Sequence, residues 1–348
     1  MVSYFGSYGL ICHDFAGKEL WSHPLPLAKT AGGLGTGGSP TLAGELVIVN
    51  RDMEKTYALL AVNLEAGTTA WEATRPDGRQ SYSSSVVWKH DGIEEIVMSG
   101  SLKMKAYDIK TGKERWSLKG MPSLTCTTPV AGDGLLFFAG WSAGGKGDNP
   151  MPTFEQMAGD FDKNKDGAIT PDEVKGTPME PFFRAQDLNG DGKITTEDLE
   201  GMKAIMASGE NVLVAVRPGG KGDLGDSSIA WKQTRGLPQV PSPLYYRGHV
   251  YLVKDGGMVS CFDAKTGTTA YLQERLPAQG SYSASPVAAD GRIMVASLAG
   301  KVTVFAEGGD APKILHQADF KERIAATPAL VGNNIYIRTP TTLYAFGM

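Results

Sequence analysis

The sequence has few of the residues that build disulfide frameworks or zinc sites. It contains 3 cysteines and 5 histidines in 348 residues. The cysteines show no Cys-x-x-Cys spacing and the histidines no His-x-His spacing, so neither kind of site is predicted. No apolar run approaches the roughly 18 residues of a membrane span. Because the first residues lead directly into strand-like sequence, we expect neither a signal peptide nor a membrane span.

A strong net charge is also missing. The formal net charge is −4, which gives no reason to expect nucleic acid as a partner. The charge is uneven, however, because residues 146–210 carry 14 acidic and 7 basic side chains while the remainder has a net charge of +3. The sequence therefore predicts an acidic module at 141–210, inserted into a host domain formed by 1–140 and 211–348.

Two twelve-residue loops in the acidic module have the oxygen spacing of a calcium site and resemble EF-hands. Calcium needs six to eight oxygen ligands, which such a loop supplies from positions 1, 3, 5, 7 and 12. The second loop ends in aspartate, which is shorter than glutamate, so weaker calcium binding or magnesium tolerance is expected there. The predicted ligands are Asp162, Asn164, Asp166, Ala168 and Glu173 in the first loop, and Asp187, Asn189, Asp191, Lys193 and Asp198 in the second.

The two loops are predicted to form a compact pair. Ile169 and Ile194 occupy the same loop position, where paired EF-hands join through a short two-strand bridge. Only residues 174–186 separate the loops, and glycine and proline in that segment keep its helices short. A pair with little helix to swing favours a structural role for calcium over a switch.

An internal repeat organises the host domain. The segment 106–116, with the pattern Ala-x-Asp-x-x-Thr-Gly-x-x-x-Trp, recurs in degraded form at 61–71, 262–271 and 14–21. A second marker precedes each unit, and the second residues of successive markers are 46, 43, 114, 43 and 42 residues apart. Four spacings fit one blade of four short strands, and the long one exceeds them by about the length of the acidic module. The markers are Ser39-Pro40, Ser85-Val86 as the variant, Thr128-Pro129, Ser242-Pro243, Ser285-Pro286 and Thr327-Pro328.

Each residue type in the repeat has a structural role. The aspartate accepts backbone N–H bonds in a tight turn between the third and fourth strands, and the glycine supplies a positive φ. The tryptophan is large enough to wedge between neighbouring sheets. We therefore interpret the repeat tryptophans as packing residues and not as a ligand cage.

This repeat resembles the tryptophan-docking motif of quinoprotein-type β-propellers, the pyrroloquinoline-quinone-like repeat proteins, over residues 1–140 and 211–348. The resemblance implies an all-β fold, a β-propeller of about seven four-stranded blades (eight in an intact relative) with a small α-helical EF-hand insertion. The family includes quinone-dependent alcohol dehydrogenases and cofactor-free lipoprotein scaffolds, which implies an extracytoplasmic location. The vicinal cysteine pair of the dehydrogenases is missing, so pyrroloquinoline quinone is not expected as a cofactor.

The two terminal units are incomplete. The first begins at its second strand, 2–5, and the last ends at its third strand, 342–346. We therefore expect missing sequence at the N-terminus. Unpaired blade edges tend to pair with another chain, which predicts a homo-oligomer of this form.

The candidate ligand residues come from loops that share one face of a propeller around its channel. Three cations would give this channel mouth a positive lining suited to a carboxylate or phosphate. The same charges are also consistent with solvated turn residues. The predicted ligand residues are Arg51, Tyr82, Lys254, Tyr282 and Arg338.

The leading functional hypothesis is a propeller that binds a small anionic ligand or a protein partner at the channel mouth, with calcium held in an EF-hand cap. The alternative is a metal-dependent hydrolase of the lactonase, esterase or phosphotriesterase type, with its active site in the channel. A quinone-dependent dehydrogenase comes third. No catalytic residue is identified, and if the chain is an enzyme, a hydrolase is favoured over an oxidoreductase.

Overall fold

A computed structural model describes residues 1–4, 6–27, 30, 35–52, 57–77, 79–144 and 152–347. Its strands form seven sheets that are the blades of a β-propeller, which confirms the predicted fold. The first three blades are β1 (Val2–Tyr4), β2 (Leu10–His13) and β3 (Glu19–His23); β4 (Thr41–Ala43), β5 (Leu46–Asn50), β6 (Ala58–Asn63) and β7 (Thr69–Thr74); and β8 (Val86–His90), β9 (Ile93–Ser99), β10 (Lys103–Asp108) and β11 (Glu114–Lys119).

The fourth blade differs from the others because two long segments leave it. Its strands are β12 (Val130–Gly132), β13 (Leu135–Gly140), β14 (Val212–Val216) and β16 (Ile229–Gln233), while β15 (Gly222–Leu224) pairs with the third blade. The last three blades are β17 (Leu244–Tyr246), β18 (His249–Lys254), β19 (Met258–Asp263) and β20 (Thr269–Arg275); β21 (Val287–Ala289), β22 (Arg292–Ala296), β23 (Lys301–Ala306) and β24 (Ile314–Asp319); and β25 (Ala329–Val331), β26 (Asn334–Arg338) and β27 (Leu343–Gly347).

Helices occur between β13 and β14, where the acidic module was predicted. They are α1 (Phe154–Phe161), α2 (Pro171–Val174), α3 (Phe183–Gln186) and α4 (Thr196–Ala207). A short 3-10 turn at Glu180–Phe182 lies in the same segment, and two more lie at Gly6–Tyr8 and Asp226–Ser228 elsewhere in the described chain. The module has a small apolar core of its own, which includes Phe154, Ile169 and Leu199.

The Ser/Thr markers form a hydrogen-bonded chain around the channel. In each contact the backbone N–H of one marker donates to the side-chain hydroxyl of the marker in the next blade, at 2.8–3.3 Å. Each innermost strand begins two residues after the hydroxyl-bearing residue. The predicted variant marker Ser85-Val86 is wrong by one residue, because Ser84 occupies the bonding position and Ser85 replaces the proline. The chain runs through Ser39, Ser84, Thr128, Ser242, Ser285 and Thr327.

Three repeat tryptophans each dock their own blade onto the turn of the next one. The Trp71 indole N–H donates to the Ile109 carbonyl at 2.8 Å, directly after the turn aspartate Asp108. A Cβ built on Gly112, which closes the same turn at φ +68°, would lie 2.4 Å from the Trp71 ring. The same pairing joins Trp21 to Gly67 and Trp231 to Gly267. The glycine is therefore required both for its backbone angle and for the ring that stacks on it.

The first and last blades contain three strands each among the described residues. Within the described residues, the first blade has no strand on the channel side of β1, and the last blade has none on the outer side of β27. The terminal strands lie where they were predicted, but β27 begins and ends one residue later than the predicted 342–346. Phe5, the last residue of the predicted first strand, lies outside the described residues. Self-association through these edges stays a prediction.

Candidate functional site at the channel face

The acidic module leaves the propeller from the loop between β13 and β14, on the face formed by second-to-third-strand loops and inter-blade crossings. A pair of hydrogen bonds closes its base: Ser142 N donates to Asn211 Oδ1 at 2.8 Å, and Asn211 Nδ2 donates to Ser142 O at 3.1 Å. Helix α4 packs close to the base, because a Cβ on Gly144 would lie 2.9 Å from Met206 Cε. The module is thus held over the channel face at both ends of its insertion.

The first EF-hand-like loop, 162–173, has the backbone conformation that the motif requires. Gly167 makes the turn at φ +83° and donates to Asp162 Oδ2 at 3.1 Å. Asp166 N donates to Asn164 Oδ1 at 2.9 Å, and Ala168 N donates to Asp166 Oδ1 at 3.0 Å. These bonds hold the side chains of positions 1, 3 and 5 against the loop.

The second loop repeats this geometry. Gly192 N donates to Asp187 Oδ2 at 3.0 Å, and Asp191 N donates to Asn189 Oδ1 at 2.9 Å. Lys193, whose backbone oxygen is the predicted ligand, donates its N–H to Asp191 Oδ1 at 2.9 Å. The two loops are therefore equivalent up to position 7.

A backbone bridge joins the two loops, as predicted from their matching isoleucines. Ile169 N donates to Ile194 O at 2.9 Å, and Ile194 N donates to Ile169 O at 2.8 Å. Both side chains are fully buried. The bridge makes one rigid unit of the pair.

The carboxylates at position 12 are engaged with their own loops. Glu173 accepts from Thr170 N at 2.9 Å and from the Thr170 hydroxyl at 2.8 Å, and Asp198 accepts from Thr195 in the same way. The hydrogen bonds from Thr170 lower the pKa of Glu173. Partial burial raises the pKa of Asp198, but bonds from Thr195 and the second-loop backbone outweigh it and lower that pKa. Both groups are thus kept ionised, as a calcium ligand must be.

The loops fit calcium in donor chemistry and in backbone shape. Each offers carboxylate, amide and backbone carbonyl oxygens, which are the hard donors that calcium prefers. In the part of the chain that the structure describes, however, no three His, Cys, Asp or Glu side chains converge on one point. In each loop the carboxylate at position 12 accepts hydrogen bonds from backbone N–H groups instead. Nothing among the described residues favours the hydrolase hypothesis, which needs converging ligands in the channel and stays a prediction.

A cavity of about 250 Å³ lies beside the base of the module. Two of the predicted ligand residues, Lys254 and Tyr282, line it, together with Trp141, Val240 and Asp255. Trp141 is the first residue after β13, so the cavity shares a segment with the calcium module. Tyr282 forms one wall of the cavity, and its hydroxyl is already engaged because it donates to the Ala278 carbonyl at 2.6 Å. Burial raises the pKa of Tyr282 to about 12.

The charges of this cavity leave its lysine open to a ligand. Asp255 Oδ1 accepts from Tyr282 N at 2.7 Å. Among the described residues, no acidic side chain forms an ion pair with Lys254. The cavity therefore combines an ammonium group, a carboxylate that is engaged with the Tyr282 backbone, and apolar and aromatic walls.

The other three predicted ligand residues lie in separate surroundings. Arg51 is 5% exposed, and its Nη1 lies 3.6 Å from Glu72 Oε1. The Tyr82 hydroxyl accepts from Gln80 Nε2 at 2.7 Å, and burial raises the pKa of that tyrosine. Arg338 is exposed and lines a different cavity beside Arg323. The five residues do not converge on one site.

A buried ion pair under the same face was not anticipated from the sequence. Asp52 is hydrogen-bonded to Arg75, and both side chains are almost completely buried. Burial raises the pKa of Asp52 to about 6, although Arg75 opposes the shift. A Cβ on Gly100 would meet the Arg75 guanidinium at 2.1 Å. The pair lies beside Arg51, which shows that charged loop residues here point into the protein.

Comparisons with known protein families agree with this architecture. The sequence profile described as "Outer membrane protein assembly factor BamB" matches residues 2–131 and 184–347. The profile described as "EF hand" matches residues 159–175, which include the first calcium loop. No curated protein matches the chain.

Three solved structures with similar folds are distant in sequence from this chain. BamB from Moraxella catarrhalis has a TM-score of 0.60 at 13% identity, over 99% of this chain and 79% of that one. The C-terminal WD40 domain of Sif2 has a TM-score of 0.55 at 12% identity, over 99% and 76%. BBS1N, solved in complex with ARL6DN, has a TM-score of 0.53 at 10% identity, over 98% and 84%. At such identities these likenesses show the propeller fold alone. Within the described ranges no helix is long and apolar enough to cross a membrane.

Proposed function

This chain belongs to the protein family described as the outer membrane protein assembly factor BamB, and from that membership we propose a binding propeller that acts outside the cytoplasm. Its channel face receives a carboxylate, carried by a small molecule or by a protein partner. The fold of the family supports a binding or scaffold role. The observation that carries the ligand assignment is the cavity beside Lys254, which has no acidic side chain paired to it among the described residues.

The cavity favours a carboxylate for electrostatic reasons. An ammonium at the rim of an apolar pocket attracts an anion more strongly than it would in open water, because the local dielectric is lower. Trp141 and Val240 supply apolar surface, and Val240 is 38% exposed. A ligand with a carboxylate next to an apolar group matches both features.

Calcium in this proposal holds the cap in place. Asp162, Asn164, Asp166 and Glu173, with the Ala168 carbonyl, supply the first site. The equivalent residues from Asp187 to Asp198 supply the second, weaker site. The ion stabilises the short helices and the base of the insertion. Because Trp141 lies at that base and also lines the cavity, calcium binding and ligand binding each favour the other.

Ligand-observed NMR with a library of small carboxylates tests the ligand assignment. Wild type is compared with Lys254→Ala and with Lys265→Ala, an exposed lysine in the turn between β19 and β20 on the opposite face. We expect some carboxylates to bind the wild type and to bind Lys254→Ala about tenfold more weakly, because one charge-assisted contact is lost. Their affinity for Lys265→Ala should be unchanged. Hits that both variants retain would contradict the assignment.

Calorimetric titration with calcium tests the cap separately. Wild type should show a tighter and a weaker site, and Glu173→Gln should abolish the tighter one while leaving the weaker. Absence of any calcium-dependent heat would overturn the calcium part of the proposal. It would leave the carboxylate cavity untouched.

A further inference from the structure

The junction between the third and fourth blades lacks the tryptophan-to-glycine contact that joins other blades. The connection from β14 to β16 contains no Asp-x-x-Thr-Gly turn to receive Trp116. Residues 217–228 instead reach across to the third blade, where β15 pairs in parallel with β11. Ser117 Oγ donates to Asp223 Oδ1 at 2.6 Å and fixes this strap. The strap, defined as residues 217–228, thus replaces a docking turn.

The displaced tryptophan turns into its own blade. Trp116 Nε1 donates to Glu95 Oε1 at 2.9 Å, and His90 Nε2 lies 3.0 Å from the same oxygen. Glu95 is 2% exposed, and the His90 ring packs against Trp88 at a centroid distance of 4.4 Å, with the ring planes tilted by 54°. This buried group forms a rigid floor, because every member is held by packing or by a hydrogen bond.

A cavity of about 420 Å³ lies between that floor and the strap, on the face opposite the channel mouth. Its volume is in the range of small-molecule sites. The strap contributes Gly219, Gly220 and Lys221, and the turn between β10 and β11 contributes Lys113 and other residues. Ile93, at the start of β9, adds an exposed apolar side chain to the wall.

The charged side chains that line this cavity are three cations and three anions, but their pairing leaves two of the cations without an acidic partner. Asp108 is paired with Arg115 at 2.5 Å, and Glu114 with Lys105, which lies outside the lining, at 3.1 Å. Glu95 accepts from Trp116. Among the described residues, no acidic side chain forms an ion pair with Lys113 or Lys221. These two ammonium groups are therefore left to contact an anionic group of a ligand.

We infer that the cavity under the strap binds an amphiphilic monocarboxylate, a molecule with an apolar body and one carboxylate. The carboxylate lies between Lys113 and Lys221, and the apolar body lies against Ile93, the ring of His90 and the glycine backbone of the strap. An inorganic anion would leave most of the volume unfilled, and a neutral apolar molecule would leave the ammonium charges without a partner. This site is independent of the proposed channel ligand.

Three probes separate these alternatives: octanoate, 1-octanol and acetate, each titrated calorimetrically into the calcium-loaded full chain. Octanoate carries both features, 1-octanol lacks the charge and acetate lacks the apolar body. We expect octanoate to bind at least about tenfold more tightly than either of the others. No binding of octanoate at millimolar concentration, or equal binding of octanoate and octanol, overturns the inference.

Variants locate the binding. Lys113→Ala combined with Lys221→Ala should weaken octanoate about tenfold or more, because both exposed lysines can be removed without disturbing the fold. Lys110→Ala is the matched control, since Lys110 is exposed in the same turn but does not line the cavity. Octanoate affinity that survives the double variant, or that falls equally in the control, places the binding elsewhere and overturns the inference.

Discussion

The second and fourth blades are built from the same repeat but use their polar groups differently. In the second blade, β5 and β6 are buried between neighbouring sheets, and the Trp71 indole N–H donates to the turn of the next blade. The fourth blade keeps the same four antiparallel strands but releases two segments, the calcium module and the strap. The two cavities that we propose as carboxylate sites lie beside those segments.

The difference shows where a repeat protein has room for binding. Where a blade follows the repeat, its tryptophan ring packs on the turn glycine of the next blade. This contact closes the interface between the two blades and leaves little exposed surface for a ligand. Where the repeat is interrupted, the tryptophan and the loop ends lose their usual partners, and cavities lined by charged side chains remain. We therefore propose that the segments leaving the fourth blade, and not the regular blades, form the binding sites of this propeller.

The largest expected effect comes from breaking a regular junction. Gly112→Ala places a methyl group 2.4 Å from the Trp71 ring, in a turn with φ +68°. Overpacking and backbone strain together should lower the free energy of unfolding by about 2–4 kcal/mol. Urea denaturation followed by tryptophan fluorescence measures the change.

Gly134→Ala is the control for that substitution. Gly134 has φ +76°, but a Cβ there meets nothing within 4 Å. It should cost only the backbone strain, about 1–2 kcal/mol. Equal losses in the two variants would show that the ring contact does not hold the junction.

The pH dependence of stability separates the regular blade from the module. Because burial raises the pKa of Asp52 from 3.8 to about 6, the folded state binds a proton that the unfolded state has lost. The contribution of Asp52 to the free energy of unfolding is therefore fully present below pH 3.8. It is lost as the pH rises to 6, by up to about 3 kcal/mol. Glu173 and Asp198 act in the opposite direction, since their pKa values are lowered: their contribution is present above the usual carboxyl range and is lost on acidification.

Asp52→Asn isolates the buried group. The amide does not titrate, so unfolding free energies of wild type and variant, measured by urea denaturation between pH 4 and 6.5, should differ in slope, with only the wild type losing the Asp52 contribution. Parallel curves would mean that Arg75 keeps Asp52 ionised throughout, against the assigned direction.

The smallest expected effect concerns the second calcium loop. Asp198→Glu restores the longer side chain that Glu173 has in the first loop, where the equivalent bonds to Thr170 are made. We expect calcium affinity at the second site to rise by about tenfold, because glutamate reaches the ion bidentately more easily. Calcium titration calorimetry checks it, and an unchanged second site would show that the chain length at position 12 does not limit binding.

The repeat and the calcium loops were readable from the sequence because each depends on local spacing. The turn at Asp108 and the bridge between Ile169 and Ile194 follow from residues only a few positions apart, or from two copies of one motif. The marker at Ser84 was misplaced by one residue because the proline that identifies the others is replaced by serine.

The strap and the environments of the loop cations could not be predicted from the sequence. The strap is short, glycine-rich and paired in parallel with a strand about a hundred residues earlier, so it has no period of its own. Arg51 and Lys254 lie in equivalent loops, but one is buried beside Asp52 and the other lines a cavity. Trp141 was overlooked as a site residue, although its position after a second strand, outside the repeat, distinguishes it from the docking tryptophans.

Hydrogen–deuterium exchange with calcium and with EDTA tests the special role of the fourth blade most directly. Removal of calcium should raise exchange in peptides from 152–211 and in the adjoining segment at Trp141, and leave peptides from the second blade, 41–74, unchanged. No change in 152–211, or an equal rise throughout the propeller, would contradict the account of a calcium-held module on an otherwise self-sufficient ring.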